Sequence, residues 1–126
     1  MPKFNITDNH FDFTVPPSPP TRPDVVSVSA NAISIKWDVP YADGGSKVTG
    51  YWIEKKERNT ILWVRENKLP CLECHYKVSN LIEGLEYQFR VYAMNLAGLS
   101  KASEASRPVL ALNPVGKYLC SIYSMA

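Results

Sequence analysis

Several things are scarce in this chain, and each scarcity narrows what it does. No stretch approaches the roughly 18 consecutive apolar residues of a membrane-spanning helix. The opening Met1-Pro2-Lys3-Phe4-Asn5 has no apolar core of the kind a secretory leader needs. Without secretion, the sequon Asn5-Ile6-Thr7 carries no weight. Charge of one sign is missing too: 14 basic and 12 acidic residues leave a net +2, spread along the chain, too weak and mixed to call for nucleic acid or an anionic membrane. The densest basic run, Lys55-Lys56-Glu57-Arg58, is interrupted by a carboxylate and reads as a solvated sheet face. Cysteine is sparse and odd in number: Cys71, Cys74 and Cys120 do not make a paired framework, so reduced thiols and a cytoplasmic setting are expected.

What is present is β-structure. With 126 residues, 45% hydrophobic and 21% charged, the chain has the size and composition of one globular domain. Five prolines fall within Pro16–Pro23, which predicts an extended segment outside any sheet interior, either a linker or a lead-in to the first strand. Before it, Phe11, Phe13 and Val15 alternate like an edge strand, or belong to a disordered leader. Strands are predicted over Val25–Ala30, Ala32–Trp37, Val48–Glu57, Ile61–Glu66, Cys74–Ser79, Tyr87–Asn95 and Arg107–Leu112. Alternation places Ile33, Ile35 and Trp37 on one face, Tyr51 and Ile53 on another inner face, and Trp52 outward. The connections are too short for helical crossovers, so the expectation is all-β: a seven-stranded antiparallel β-sandwich.

Leu81-Ile82-Glu83-Gly84-Leu85-Glu86-Tyr87 sets a Leu six residues before a Tyr at the start of the longest strand, and resembles a tyrosine corner, in which a phenol hydroxyl pins a loop between strands. With Pro20, Trp37, Asp43-Gly44-Gly45-Ser46, Gly50-Tyr51, Tyr87-Gln88-Phe89-Arg90-Val91-Tyr92-Ala93, Asn95, Gly98 and Ser100, the pattern resembles a fibronectin type III domain over about residues 19–113. Gly50-Tyr51-Trp52-Ile53-Glu54-Lys55-Lys56-Glu57 and Val78–Gly84 are similar to the fibronectin domains of giant sarcomeric proteins. Those of titin's A-band part resemble it first, and those of myosin-binding protein C next. The resemblance implies domains of 1–18 (leader and Pro-rich linker), 19–113 (fibronectin type III) and 114–126 (a tail outside the fold). It also implies a monomeric, non-catalytic spacer and docking module in the sarcomere. Its partners would be myosin or other thick-filament proteins and neighbouring immunoglobulin-like or fibronectin domains. The other reading is an extracellular adhesion or receptor module.

No chemistry-bearing constellation competes with this. Cys71-Leu72-Glu73-Cys74-His75 has two of the four ligands a structural zinc needs, and Cys74 and His75 fall on opposite faces of a strand, which also disfavours a Cys–His nucleophile. Asp43-Gly44-Gly45-Ser46 opens a strand, not the helix a phosphate loop requires, and reads as a turn. Acidic residues stand singly, so no carboxylate pair offers acid–base catalysis. No catalytic, cofactor or metal residue is expected. Structural roles are expected for Trp37, Tyr51, Leu81 and Tyr87, and a protein-binding surface around Trp52, Arg90 and Tyr92. Trp63 is expected to pack over the sandwich edge.

Overall fold

The computed structural model describes residues 14–114, and the alternation of Phe11 and Phe13, Cys120 and the tail from Gly116 lie outside them. Among the described residues eight strands are formed: β1 (Asp24–Val28), β2 (Ile33–Lys36), β3 (Gly50–Glu57), β4 (Val64–Arg65), β5 (His75–Val78), β6 (Glu86–Asn95), β7 (Gly98–Leu99) and β8 (Val109–Leu110). They build two antiparallel sheets, one ordered β1-β2-β5, the other β4-β3-β6 with β7 and β8 along the far side of β6. No helix occurs among the described residues.

The period-2 pattern determines which face each strand buries. Along β6 half-buried and buried residues alternate without interruption, putting Tyr87, Phe89, Val91, Ala93 and Asn95 inward. Ile53 of β3, Ile33 and Ile35 of β2 and Val78 of β5 meet them, all fully buried. Trp37, just beyond β2, meets Tyr51 edge-on, with ring centroids 5.5 Å apart, and both are buried. Aromatic pairs prefer this arrangement because the positive ring edge faces the negative ring face.

The expected seventh strand is longer and less regular than Arg107–Leu112. From Gly98 to Leu110 the chain runs beside β6, but only its ends make a regular ladder, Met94 opposite Leu99 and Tyr87 opposite Val109. Between them three serines replace the ladder. Ser100, Ser103 and Ser106 each donate a backbone N–H to a β6 carbonyl (Ala93, Val91 and Phe89, 2.7–2.8 Å). Each Oγ accepts the N–H of that same β6 residue at 2.9 Å. Three residues of this chain thus pass every two of β6, and all three serines are buried.

A second three-residue rhythm shapes the proline segment. Pro17, Pro20 and Pro23 are buried, as on one face of a polyproline II helix with its three residues per turn. The intervening Val15, Ser18 and Thr21 donate their N–H groups to the carbonyls of Gly44, Ala42 and Asp38. Residues 15–18, assigned above to a leader and linker, are therefore hydrogen-bonded to the loop between β2 and β3. That loop turns on Gly44 (φ +79°), where an added Cβ would come within 2.0 Å of the Val15 carbonyl. Only glycine fits there.

Candidate protein-binding face

The outer face of the β4-β3-β6 sheet is the most chemically distinctive surface. Because β3 and β6 are paired with Trp52 opposite Tyr92, Glu54 opposite Arg90 and Lys56 opposite Gln88, their outward side chains form adjacent rows. Glu54 sits at the centre. Its Oε1 accepts from Arg90 Nε at 2.7 Å and from the Tyr92 hydroxyl at 3.0 Å. Burial, and then the hydrogen bond to this carboxylate, push the Tyr92 phenol above its ordinary pKa.

Around this pair, cations lie on rings. The Arg65 guanidinium, on edge strand β4, stacks 4.1 Å from the Trp52 ring centroid, and Arg90 stacks 4.3 Å from that of Trp63. Arg90 also lies 5.7 Å from the Tyr92 ring, and Lys56 Nζ 5.9 Å from the Trp63 ring. These distances are within reach of cation–π attraction, worth about 0.5–1 kcal/mol at exposed sites. The Trp52 indole N–H points to Met94 Sδ at 3.4 Å.

The structure brings Trp52, Arg90 and Tyr92 together on one face. Within it Trp52 is covered by Arg65 and Met94, while Arg90 is taken by Glu54 and Trp63. Trp63 lies not over the sandwich edge but on this outer face. The predicted strand Ile61–Glu66 shrinks to two residues, because Thr60 Oγ1 accepts the Leu62 N–H and donates toward the Glu57 carbonyl, keeping the chain in a turn. Ile61 and Leu62 are left exposed and Trp63 swings across the sheet. Arg65 escaped the sequence reading because its partner belongs to another strand.

The residues assigned structural roles occupy the interior. Trp37, Tyr51, Leu81 and Tyr87 are buried, and the Tyr87 hydroxyl accepts the Ile82 N–H at 2.9 Å. Two buried asparagines join them: Asn95, which the sequence singled out only as part of the family pattern, and Asn67, which it did not single out. Asn67 Oδ1 accepts the Ile53 N–H while its Nδ2 donates to the Tyr51 and Leu69 carbonyls, tying the chain after β4 to β3. Asn95 Nδ2 donates to the carbonyls of Val15 and Asp43, closing one end of the sandwich.

The cysteine motif is a crossover between sheets. Cys71 exchanges backbone hydrogen bonds with Tyr51 of one sheet, and the Cys74 carbonyl accepts the Trp37 N–H from the other. Burial raises the Cys71 thiol pKa, which suppresses its thiolate. Among the described residues no cluster of three or more His, Cys, Asp or Glu is placed to hold a metal. A cleft lined by Thr14, Gly45, Ser46, Leu96 and Ala97 holds no titratable side chain.

Two sheets packed face to face, a tyrosine hydroxyl pinning the loop before the central strand, and no assembled chemistry among the described residues define an immunoglobulin-like sandwich module. The fibronectin type III domain model matches residues 18–109, and the chain belongs to that family. Slow-type myosin-binding protein C of Homo sapiens is 38% identical over 96 residues, 76% of this chain and 8% of that protein. Titin of Drosophila melanogaster is 35% identical over 112 residues, 82% of this chain and 1% of that protein. Among solved structures, that of domains A168-A170 from titin superposes with a TM-score of 0.75 at 40% identity, covering 78% of this chain and 33% of that one. The chain thus spans a small fraction of the length of the curated relatives it matches, and its fold and sequence are similar to those of modules in these sarcomeric proteins.

Proposed function

We propose that this chain is a non-catalytic spacer and docking module of an intracellular muscle scaffold, working in the cytoplasm of the sarcomere along the thick filament. Its partners are myosin or other thick-filament proteins, and neighbouring immunoglobulin-like or fibronectin domains. It binds as a monomeric domain, through the outer face of the β4-β3-β6 sheet. The observation that carries this reading is the assembly of Trp52, Trp63, Tyr92, Arg65 and Arg90 on a single face. Trp, Tyr and Arg are the residue types that dominate binding hot spots. Myosin-binding protein C, a relative whose name states its partner, supports myosin as the first partner to try. One such face makes a modest contact, and repetition along an array sums modest contacts through effective concentration.

Co-sedimentation of the chain with filaments of striated-muscle myosin tests this. Binding is expected, weakened by Trp52→Ala and unchanged by Val26→Ala on the exposed edge strand of the other sheet. No co-sedimentation, or equal binding by both variants, would refute it.

A further inference from the structure

The proposed docking face carries an unbalanced charge arranged in a particular way. Glu54 is its only carboxylate on β3, and that carboxylate is engaged by Arg90 and Tyr92. Three cations elsewhere in the fold are neutralised, Arg22 by Glu104, Lys55 by Glu66 and Arg58 by Glu86, while Lys36, Lys47, Lys68, Lys77, Lys101 and Arg107 make no ion pair among the described residues and lie against no aromatic ring there. Arg65 and Lys56 have no carboxylate partner among the described residues. Among the described residues the Lys56 ammonium donates to the carbonyls of Glu57 and Thr60, at 3.5 and 3.2 Å, and uncharged acceptors leave its full charge standing.

Arg65 is exposed, and no hydrogen bond to its guanidinium occurs among the described residues, yet its central carbon is held over the Trp52 ring, 4.1 Å from the centroid. A guanidinium held over a ring keeps N–H donors that no protein acceptor there takes up. Those donors match a carboxylate bidentately. Because the stack already restrains the side chain, less rotamer freedom is lost when a partner binds.

We infer that this face takes an extended acidic segment of a partner protein, one carboxylate seated on the Arg65–Trp52 stack and a second at Lys56 beside Trp63. The inference rests on the reading of this face as the docking surface and adds the chemistry of its occupant. The spacing is set by β3: Trp52, whose ring the guanidinium of Arg65 covers, and Lys56 have backbones four residues apart on one face, about 13 Å at a strand rise near 3.3 Å per residue, with Arg65 itself reaching over from its place opposite Glu54 on β4. An extended segment with acidic residues four apart presents its carboxylates at the same interval, and its intervening apolar residues meet the ring edges. Nucleic acid fits less well. A phosphate backbone would run across the Glu54 carboxylate at the centre, and the whole chain carries a net charge of only +2.

The test is an amide and indole NMR titration of the full chain with a synthetic peptide repeating Glu-Thr-Val-Thr, which puts a carboxylate on one face every fourth residue. Controls are the same peptide with Lys for Glu, and an oligothymidylate. Shifts confined to β3, β4 and β6 and to the Trp52 and Trp63 indoles are expected with the acidic peptide. They should weaken as salt rises from about 0.05 to about 0.5 M, since exposed charges are screened. Arg65→Glu should weaken the acidic peptide on the order of tenfold, equivalent to about 1.4 kcal/mol. Arg107→Glu, the same change of net charge away from this face, should leave affinity unchanged. No shift with the acidic peptide, equal weakening by both variants, or tighter binding of the Lys peptide or the oligonucleotide overturns the inference. Filament binding that survives Arg65→Glu also overturns it, while leaving the docking reading in place. Peptide binding without filament binding does the reverse.

Discussion

Replacing Ser103 with alanine probes the least conventional part of the fold. The perturbation removes one oxygen. In the native structure Ser103 Oγ accepts the Val91 N–H at 2.9 Å and donates to the Glu104 carbonyl at 3.0 Å. Glu104 is exposed, so water replaces the second bond. Val91 is fully buried at the middle of β6, and Ser103 itself is only 6% exposed, so water has no route to the Val91 N–H. An orphaned buried donor costs about 1–3 kcal/mol, out of a total stability on the order of 5–15 kcal/mol. At about 4–8 °C per kcal/mol for a domain this size, the melting midpoint should fall by at least several degrees. Urea melts of Ser103→Ala beside Ser27→Ala, an exposed serine on β1 expected to move stability by no more than about 0.5 kcal/mol, measure the difference. Hydrogen exchange adds a local readout, because the Val91 amide should lose protection more than its neighbours. If Ser103→Ala matches Ser27→Ala within error, and Val91 stays protected, the serines are not standing in for the missing ladder.

Two further outcomes test the facing of the strands and the burial of the phenols. Trp37→Ala should lose about 3–5 kcal/mol, less whatever is regained by removing its buried, unpartnered indole N–H, and leave the domain barely folded. Trp52→Ala should forfeit its stack with Arg65, about 0.5–1 kcal/mol, and its contact with Met94, far less than a core tryptophan, and denaturant melts showing Trp52→Ala as the weaker variant would put the β3 register off by one. Burial is the main reason the phenols of Tyr51, Tyr76 and Tyr92 are all raised above their ordinary pKa of about 10. The unfolded chain releases those protons first, so the native state binds more protons above that pH. Stability should be fully present below about pH 10 and decline as pH rises beyond it. Urea midpoints at about pH 8 and about pH 11 check the sign, and Tyr51→Phe should flatten the decline.

Strand facing was legible because burial on a sheet has a period of two, and that period is local. Ile33-Ser34-Ile35-Lys36-Trp37 and Tyr87 through Asn95 state which side chains enter the core without reference to anything else. The Leu81–Tyr87 spacing was readable for the same reason, since both ends of the Tyr87–Ile82 bond lie within one short loop. Tertiary structure decided everything whose partner is distant in the chain. Val-Pro-Pro-Ser-Pro-Pro-Thr announces an extended helix of three residues per turn, but its attachment to residues 38–44 depends on where the loop after β2 comes to rest. The Ser100, Ser103 and Ser106 spacing is visible in the sequence, yet it acquires meaning only beside β6, whose two-residue period it answers with three. The binding face shows the limit most plainly: alternation sends Trp52, Arg90 and Tyr92 outward, but whether a ring meets Arg65, Arg90 or Lys56 is fixed by cross-strand register and by a turn at Thr60. Side chains on one strand are placed by its pleat, and contacts between strands by the pairing of backbones far apart in sequence.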